Sequence, residues 1–283
     1  MKTSNLYKLA LVPMLSFTTC LTSCEQDNVI RVSASIIPHA KILKEAVNPI
    51  LKEMGFDLKI RTLNWSIQND SLYHNEYDAN YFQHTPFLEA YEKSEELAVA
   101  AKVHYEKLCM YASSKDANKI LDDGETIELV NDISNIERAL KLLEANNVLT
   151  INKENYVDGI FKNFDTIYPG KCVTFKDGYK NCTLVCISES NLCLSLPDYN
   201  FGIIPGNTAL LGLGDNFADD IVMSEKVDSE TISRLSNVIA VRKDRLNHPK
   251  TIALVNAFKD ERVKNYIQET FKESVLYTFE SLI

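Results

Sequence analysis

The stretch from Val29 to Ile60 spells a strand, a helix and a second strand in succession, and that order narrows the fold more than any other feature of the chain. Val29 to Ser35 is rich in β-branched residues. After Pro38, apolar residues at Ala40, Leu43, Val47, Ile50, Leu51 and Met54 recur at helical spacing and stop at Gly55, a residue suited to a helix end. Phe56, Leu58 and Ile60 then alternate with Asp57, Lys59 and Arg61, the period of a strand with one solvent face. Further strands are expected at Leu97 to Val103, Leu108 to Ala112, Ile127 to Val130, Thr183 to Ile187, Phe201 to Ile204 and Val238 to Val241. Helical patterns fall between several of them, so the class is α/β. Pro249 to Phe271 reads as a helical stretch with Ile252, Val255 and Phe258 on one face.

The beginning of the chain sets its compartment. Lys2 and Lys8 flank the start of a mostly apolar stretch, Leu9 to Phe17, which has signal-peptide length and is too short to span a membrane. Leu21-Thr22-Ser23-Cys24 follows, small residues directly before a cysteine, the pattern at which bacteria attach lipid to the thiol and cleave. Cys24 is therefore the expected lipidated N-terminus, holding the protein in the cell envelope and facing the periplasm or exterior. Removing residues 1–23 takes two lysines from the 30 Lys+Arg and leaves 28 against 39 Asp+Glu, a formal charge of −11. Such an acidic surface argues against nucleic acid as a partner. The remaining length exceeds what one core usually serves, roughly 250 residues, so two lobes are expected.

Five cysteines remain: Cys109, Cys172, Cys182, Cys186 and Cys193. Along a strand, four steps put Cys182 and Cys186 ~13 Å apart, too far for a disulfide. His39, His74, His84 and His104 show no zinc-type spacing, and no metal site is expected. Gly212-Leu213-Gly214-Asp215 lacks the residues of a phosphate-binding loop, and no nucleophile elbow is present, so no catalytic residue is assigned.

Two segments have the composition of a binding site. Asp78 to Phe87 crowds Asn80, Tyr81, Phe82, Gln83 and His84 ahead of Pro86, either a site or a turn packed on a core. Asn131 to Arg138 follows a strand and opens an amphipathic helix with Leu140, Leu142 and Leu143 inward. Ser134 or Asn135 at its cap would leave free backbone N–H groups, and Arg138 one turn on would add a positive fork, together a carboxylate trap. On that reading Arg138 faces an open cleft and adds little to fold stability. The plainer alternative pairs Arg138 with a surface acid.

At these segments the chain resembles the NlpA/MetQ family, the lipoprotein receptors of methionine-import ABC transporters. The likeness is carried by Pro38-His39-Ala40, Asp78-Ala79-Asn80 with Phe82-Gln83-His84 and Pro86, Asn131-Asp132 with Asn135 and Arg138, and Val238 to Arg242. It implies a bilobed periplasmic-binding-protein fold, type II-like, with lobes 29–112 plus 238–283 and 113–237 joined by hinge strands behind a tether at 24–28. It also implies that Trp65 and Phe82 surround a ligand thioether, that Arg138 and Asn135 hold its carboxylate, and that His84 and Asn207 serve its polar end. The implied partners are L-methionine or a related small amino acid, a membrane permease, and the membrane through the lipid on Cys24; no cofactor is implied. The sequence departs from the family pattern in three places. Ile133-Ser134 stands for Pro-Thr, Pro205 for the first asparagine of the Ile-Asn-Thr segment, and Cys193 for the proline of Gln-Leu-Pro. The Pro205 change leaves two alternatives open: a receptor for another amino acid or dipeptide, or a surface or adhesion lipoprotein that kept the fold and lost the ligand. A lipid-anchored hydrolase stands third.

Overall fold

In the computed structural model, residues 28–115, 119–152, 154, 156–157, 160–161, 172–214 and 217–283 are described, so the leader and Cys24 lie outside them. The strand–helix–strand unit opens the fold. β1 (Val29–Ala34) leads through the wide helical turns Ile36–Ala40 and Leu43–Val47 into α1 (Asn48–Glu53), and β2 (Asp57–Thr62) returns parallel to β1. As an edge strand, β2 sends only Leu58 and Ile60 toward the core, which is the alternation seen in its sequence. α2 (Trp65–Tyr73), β3 (Ala79–His84), α3 (Thr85–Glu89) and β4 (Leu97–Glu106) follow.

After Lys107 the chain enters a second sheet through β5 (Leu108–Ala112), β6 (Thr126–Val130), α4 (Ile133–Ala145) and β7 (Leu149–Ile151). A short ribbon, β8 (Tyr156–Val157) and β9 (Ile160–Phe161), precedes β10 (Val173–Phe175), which pairs with β7. β11 (Thr183–Ile187), α5 (Leu192–Ser195), β12 (Phe201–Pro205), α6 (Gly206–Gly212) and β13 (Ile221–Ser224) complete this part. α7 (Ser229–Leu235) carries the chain back to β14 (Asn237–Arg242), α8 (Pro249–Lys259), α9 (Glu261–Phe271) and β15 (Val275–Ser281).

The strand orders are β15-β4-β14-β3-β1-β2 in the first sheet and β11-β6-β12-β5-β13 in the second. Each sheet has its own core. Val32, Leu43, Val47, Leu51, Leu254, Phe258 and Ile267 pack on the first; Leu129, Ile136, Leu140, Leu143, Phe201 and Ile203 pack on the second. Leu108–Ala112, which the expected boundary at 112 leaves with the first lobe, is the fourth strand of the second sheet. The chain changes sheets at Lys107 and again between Ser224 and Asn237.

Three local readings are corrected. Ala79–His84 is a strand and not a turn: all six residues are buried, with β1 parallel on one side and β14 antiparallel on the other. A strand covered on both faces shows no alternation. Pro249 to Phe271 is two helices broken at Asp260, which ends α8 and caps α9 by accepting from the Arg262 N–H at 2.9 Å. Ile252 is exposed, because the buried stripe of α8 runs through Ala253, Leu254, Val255, Ala257 and Phe258.

Candidate ligand-binding cavity

Trp65, Phe82, His84, Asn135, Arg138 and Asn207 all line one partly open cavity of about 50 Å³. The first three come from the part of the chain that builds the first sheet and the last three from the second. Its apolar wall is an edge-to-face chain of rings. Phe87 stands 5.4 Å from Trp65 and 5.7 Å from Phe82, centroid to centroid. A buried amide cluster fixes that wall: Asn69 on α2 and Gln83 on β3 exchange hydrogen bonds of 2.8 and 2.7 Å, and Asn80 donates to Asn69 at 2.9 Å. Trp65 sits one residue after Asn64, whose side chain caps α2 by accepting from the Ser66 N–H.

The polar wall differs from the open carboxylate trap expected from sequence. Asp132, not Ser134 or Asn135, caps α4, and its Oδ1 accepts from the Asn135 N–H at 2.9 Å and the Ser134 hydroxyl at 2.7 Å. The helix end thus already faces a carboxylate. Arg138 is buried and grips Glu225 with two prongs, Nε to Oε2 at 3.2 Å and Nη2 to Oε1, while Nη2 also donates to the Glu106 carbonyl and Nη1 to Asn135 Oδ1 at 3.0 Å. Of its five N–H groups one, on Nη1, remains for a guest. His84 Nε2 lies 3.2 Å from the same Asn135 oxygen and Nδ1 accepts from the Phe87 N–H, which makes Nε2–H the donor. Burial, with Arg138 nearby, holds the His84 ring down to about 3, so it is neutral.

Opposite this network stand two carboxylates that sequence reasoning did not single out. Glu106 ends β4, and its Oε1 accepts from His104 Nε2 at 2.6 Å; the Asn207 backbone N–H donates to the same carboxylate. Tyr81 donates its hydroxyl to His104 Nδ1, and His39 Nε2 meets Asn237 Oδ1 at 3.0 Å. His39, His104 and Glu106 hold their ligand-type atoms within 4.8 Å of one another, although sequence spacing shows no such grouping. In the arrangement seen His104 braces Glu106 through its hydrogen bond while His39 Nε2 lies 3.7 Å from the same oxygen, and burial holds His39 down to about 4 and His104 to about 3. Glu189 comes from the turn after β11 and accepts at Oε1 from Thr208 Oγ1 at 2.8 Å and Asn207 Nδ2 at 3.3 Å. Burial pushes both carboxyls up.

No activated nucleophile accompanies the cavity among the described residues. Cys109, Cys172 and Cys182 are buried, Cys186 and Cys193 half-buried, and burial pushes the thiols of Cys109 and Cys182 up and that of Cys193 to about 11. No described helix is long and apolar enough to cross a membrane.

Residues 30–279 match the family model of the NlpA lipoproteins. The methionine-binding lipoprotein MetQ of Bacillus subtilis is 30% identical over 275 residues, covering 93% of this chain and 95% of that protein. Among solved structures, a nutrient-binding protein from Burkholderia cenocepacia bound to methionine superposes with a TM-score of 0.76 at 26% identity, covering 88% of this chain and 100% of the other. Lipoprotein Tp32 from Treponema pallidum shares the fold at 23% identity and a TM-score of 0.76, covering 89% of this chain and 100% of the other. With a family model spanning nearly the whole described length and a bilobed α/β frame around one cavity, this chain belongs to the NlpA lipoprotein family, a class of solute-binding proteins and not of enzymes.

Proposed function

We propose that this protein is the receptor of an ABC importer, anchored by lipid at Cys24, and that it captures a small amino acid between its two sheets and hands it to a membrane permease unaltered. The observation that carries this reading is the two-sided cavity: Trp65, Phe82 and Phe87 line an apolar end, and the His84–Asn135–Arg138 network lines a polar one. A zwitterion with an apolar side chain fits that division, and aromatic edges suit a thioether. L-methionine is the first ligand to test because the Bacillus subtilis relative is named for binding it.

A second amino acid as ligand has support of its own. Pro205 has no side-chain amide to offer, and Asn207, the nearest replacement, is engaged by Glu189. The experiment is calorimetric titration of the mature protein with L-methionine and a panel of other amino acids, with mass spectrometry of whatever co-purifies. Binding of one of them, recovered unchanged, is the expected result. If none binds, the receptor reading falls and the surface-lipoprotein alternative takes its place.

A further inference from the structure

Four side chains converge at one end of the first sheet, just behind the cavity wall. His104 and Glu106 stand two residues apart on β4 and so share a face, Asn237 is the register partner of His104 on β14, and His39 comes over them from the turn after β1. Glu106 Oε1 lies 2.6 Å from His104 Nε2 and 3.7 Å from His39 Nε2, and His39 Nε2 lies 3.0 Å from Asn237 Oδ1. All four residues are buried. Among the described residues, the Glu106 carboxylate pairs with those two rings and with no lysine or arginine side chain. The rings are held from behind. Tyr81 hydrogen-bonds His104 Nδ1, and the His39 ring stands edge-on to Tyr81 with centroids 4.7 Å apart, while its own Nδ1 is buried without a partner. Packing, and not a hydrogen bond at Nδ1, therefore aims His39 Nε2 at Glu106 and Asn237.

Two imidazole nitrogens, a carboxylate oxygen and an amide oxygen make a donor set for a borderline divalent cation such as Zn²⁺ or Co²⁺; Ca²⁺ and Mg²⁺ prefer oxygens alone, and no thiol belongs to the set. Ligand atoms ~2.0–2.2 Å from a metal stand roughly 3–3.5 Å from one another, and the separations of 2.6, 3.0 and 3.7 Å bracket that range. Opening the shortest takes a small turn of the Glu106 side chain. The hydrogen bonds present do not oppose occupancy. Moving the His104 proton from Nε2 to Nδ1 frees Nε2 for the metal and leaves Nδ1–H donating to the Tyr81 oxygen, the outer partner that a metal-bound histidine needs. The cation would in turn neutralise a carboxylate held out of water, a charge that is costly to bury alone. Glu106 and Asn237 also line the cavity, so the ion has a way in.

We propose that His39, His104 and Glu106, with Asn237, form a site for a divalent transition-metal ion of the Zn²⁺ or Co²⁺ kind at the back of the cavity. The site does not depend on which solute the cavity takes. The test uses the full mature protein, stripped with a chelator and titrated with Zn²⁺ alone, without added amino acid. One equivalent should bind, and the unfolding midpoint should rise with Zn²⁺ concentration. Co²⁺ in its place should move two ring N–H proton resonances far outside the diamagnetic range, slow to exchange because both rings are buried. His104→Gln should abolish binding. Tyr81→Phe, which keeps the shape of the buried ring and removes only the outer partner of His104, should weaken it by ~10–100-fold. His74→Gln, at an exposed position, should leave it unchanged. Should His104→Gln fail to fold, the wild-type cobalt spectrum and Tyr81→Phe decide. No stoichiometric uptake by the wild type, or an equivalent that binds equally well in Tyr81→Phe and shifts no ring protons, an adventitious ion only, would overturn the site and leave the receptor reading untouched.

Discussion

Arg138 shows how a residue chosen for its charge can have its first task elsewhere. Its guanidinium and the Glu225 carboxylate are both about nine-tenths buried, and Glu225 also accepts from the Tyr105 hydroxyl and the Leu108 N–H, each at 2.7 Å. Removing one partner of a buried pair leaves the other uncompensated, at ~3–5 kcal/mol. Arg138→Ala should therefore lower the unfolding free energy of the ligand-free protein by about that amount, and Arg138→Lys should restore only part because the two-pronged geometry is gone. Urea unfolding without ligand measures it, and an unchanged midpoint would return Arg138 to the open-cleft role read from sequence. Glu128 permits a test by pH. It is fully buried, Ser195 donates to its Oε2 at 2.5 Å, its Oε1 has no partner, and burial pushes its carboxyl to about 7. An acid with a raised folded pKa binds its proton more tightly in the native state, so its contribution to stability falls as pH rises from the unfolded value, 4.5, to about 7. Glu128→Gln should be less favourable to the fold, relative to wild type, at pH 4 than at pH 8, with the difference developing across that window. An orphaned amide costs the same at every pH, so a constant offset between the two proteins would mean that Glu128 titrates normally.

At the scale of elements, α4 separates what a sequence can say from what it cannot. Its inward Leu140, Leu142 and Leu143 were legible because burial of a helix face repeats with the helical period. The cap was misplaced by two or three positions, since Asp132, Ser134 and Asn135 are all capping types and only the observed backbone decides among them. Asp132→Ala should cost about 1–2 kcal/mol in equilibrium unfolding, and Asp132→Asn much less, because the amide oxygen can still accept from the Asn135 N–H. A loss below a few tenths would show that Ser134 takes over the cap. β3 hid for another reason: its polar Asn80 and Gln83 are buried against Asn69 of α2, and no local pattern announces a partner eleven or fourteen residues away. The six cavity residues were legible through motif and family likeness, whereas Glu106 and Glu189 stand in unremarkable local sequence and meet only when the sheets pack.

For the whole molecule, the parallel β1–β2 unit and the separate cores follow from the hydrophobic pattern, while the boundary after Ala112 fell one strand late because β4 and β5 are separated by a single residue. No composition shift marks that joint. The proposed attachment is through Cys24, and on it Cys24→Ala should abolish lipid labelling and move the protein from the membrane fraction to the soluble one. Labelled, membrane-bound Cys24→Ala would sink the anchor assignment. The joint at Lys107 has a further consequence. Glu106 lines the cavity, its carbonyl accepts from Arg138, and it is the immediate neighbour of the residue at which the chain leaves one sheet for the other. Rotation at this peptide would carry the Glu106 carboxylate with it, so the cavity wall and the joint between the sheets are one residue apart.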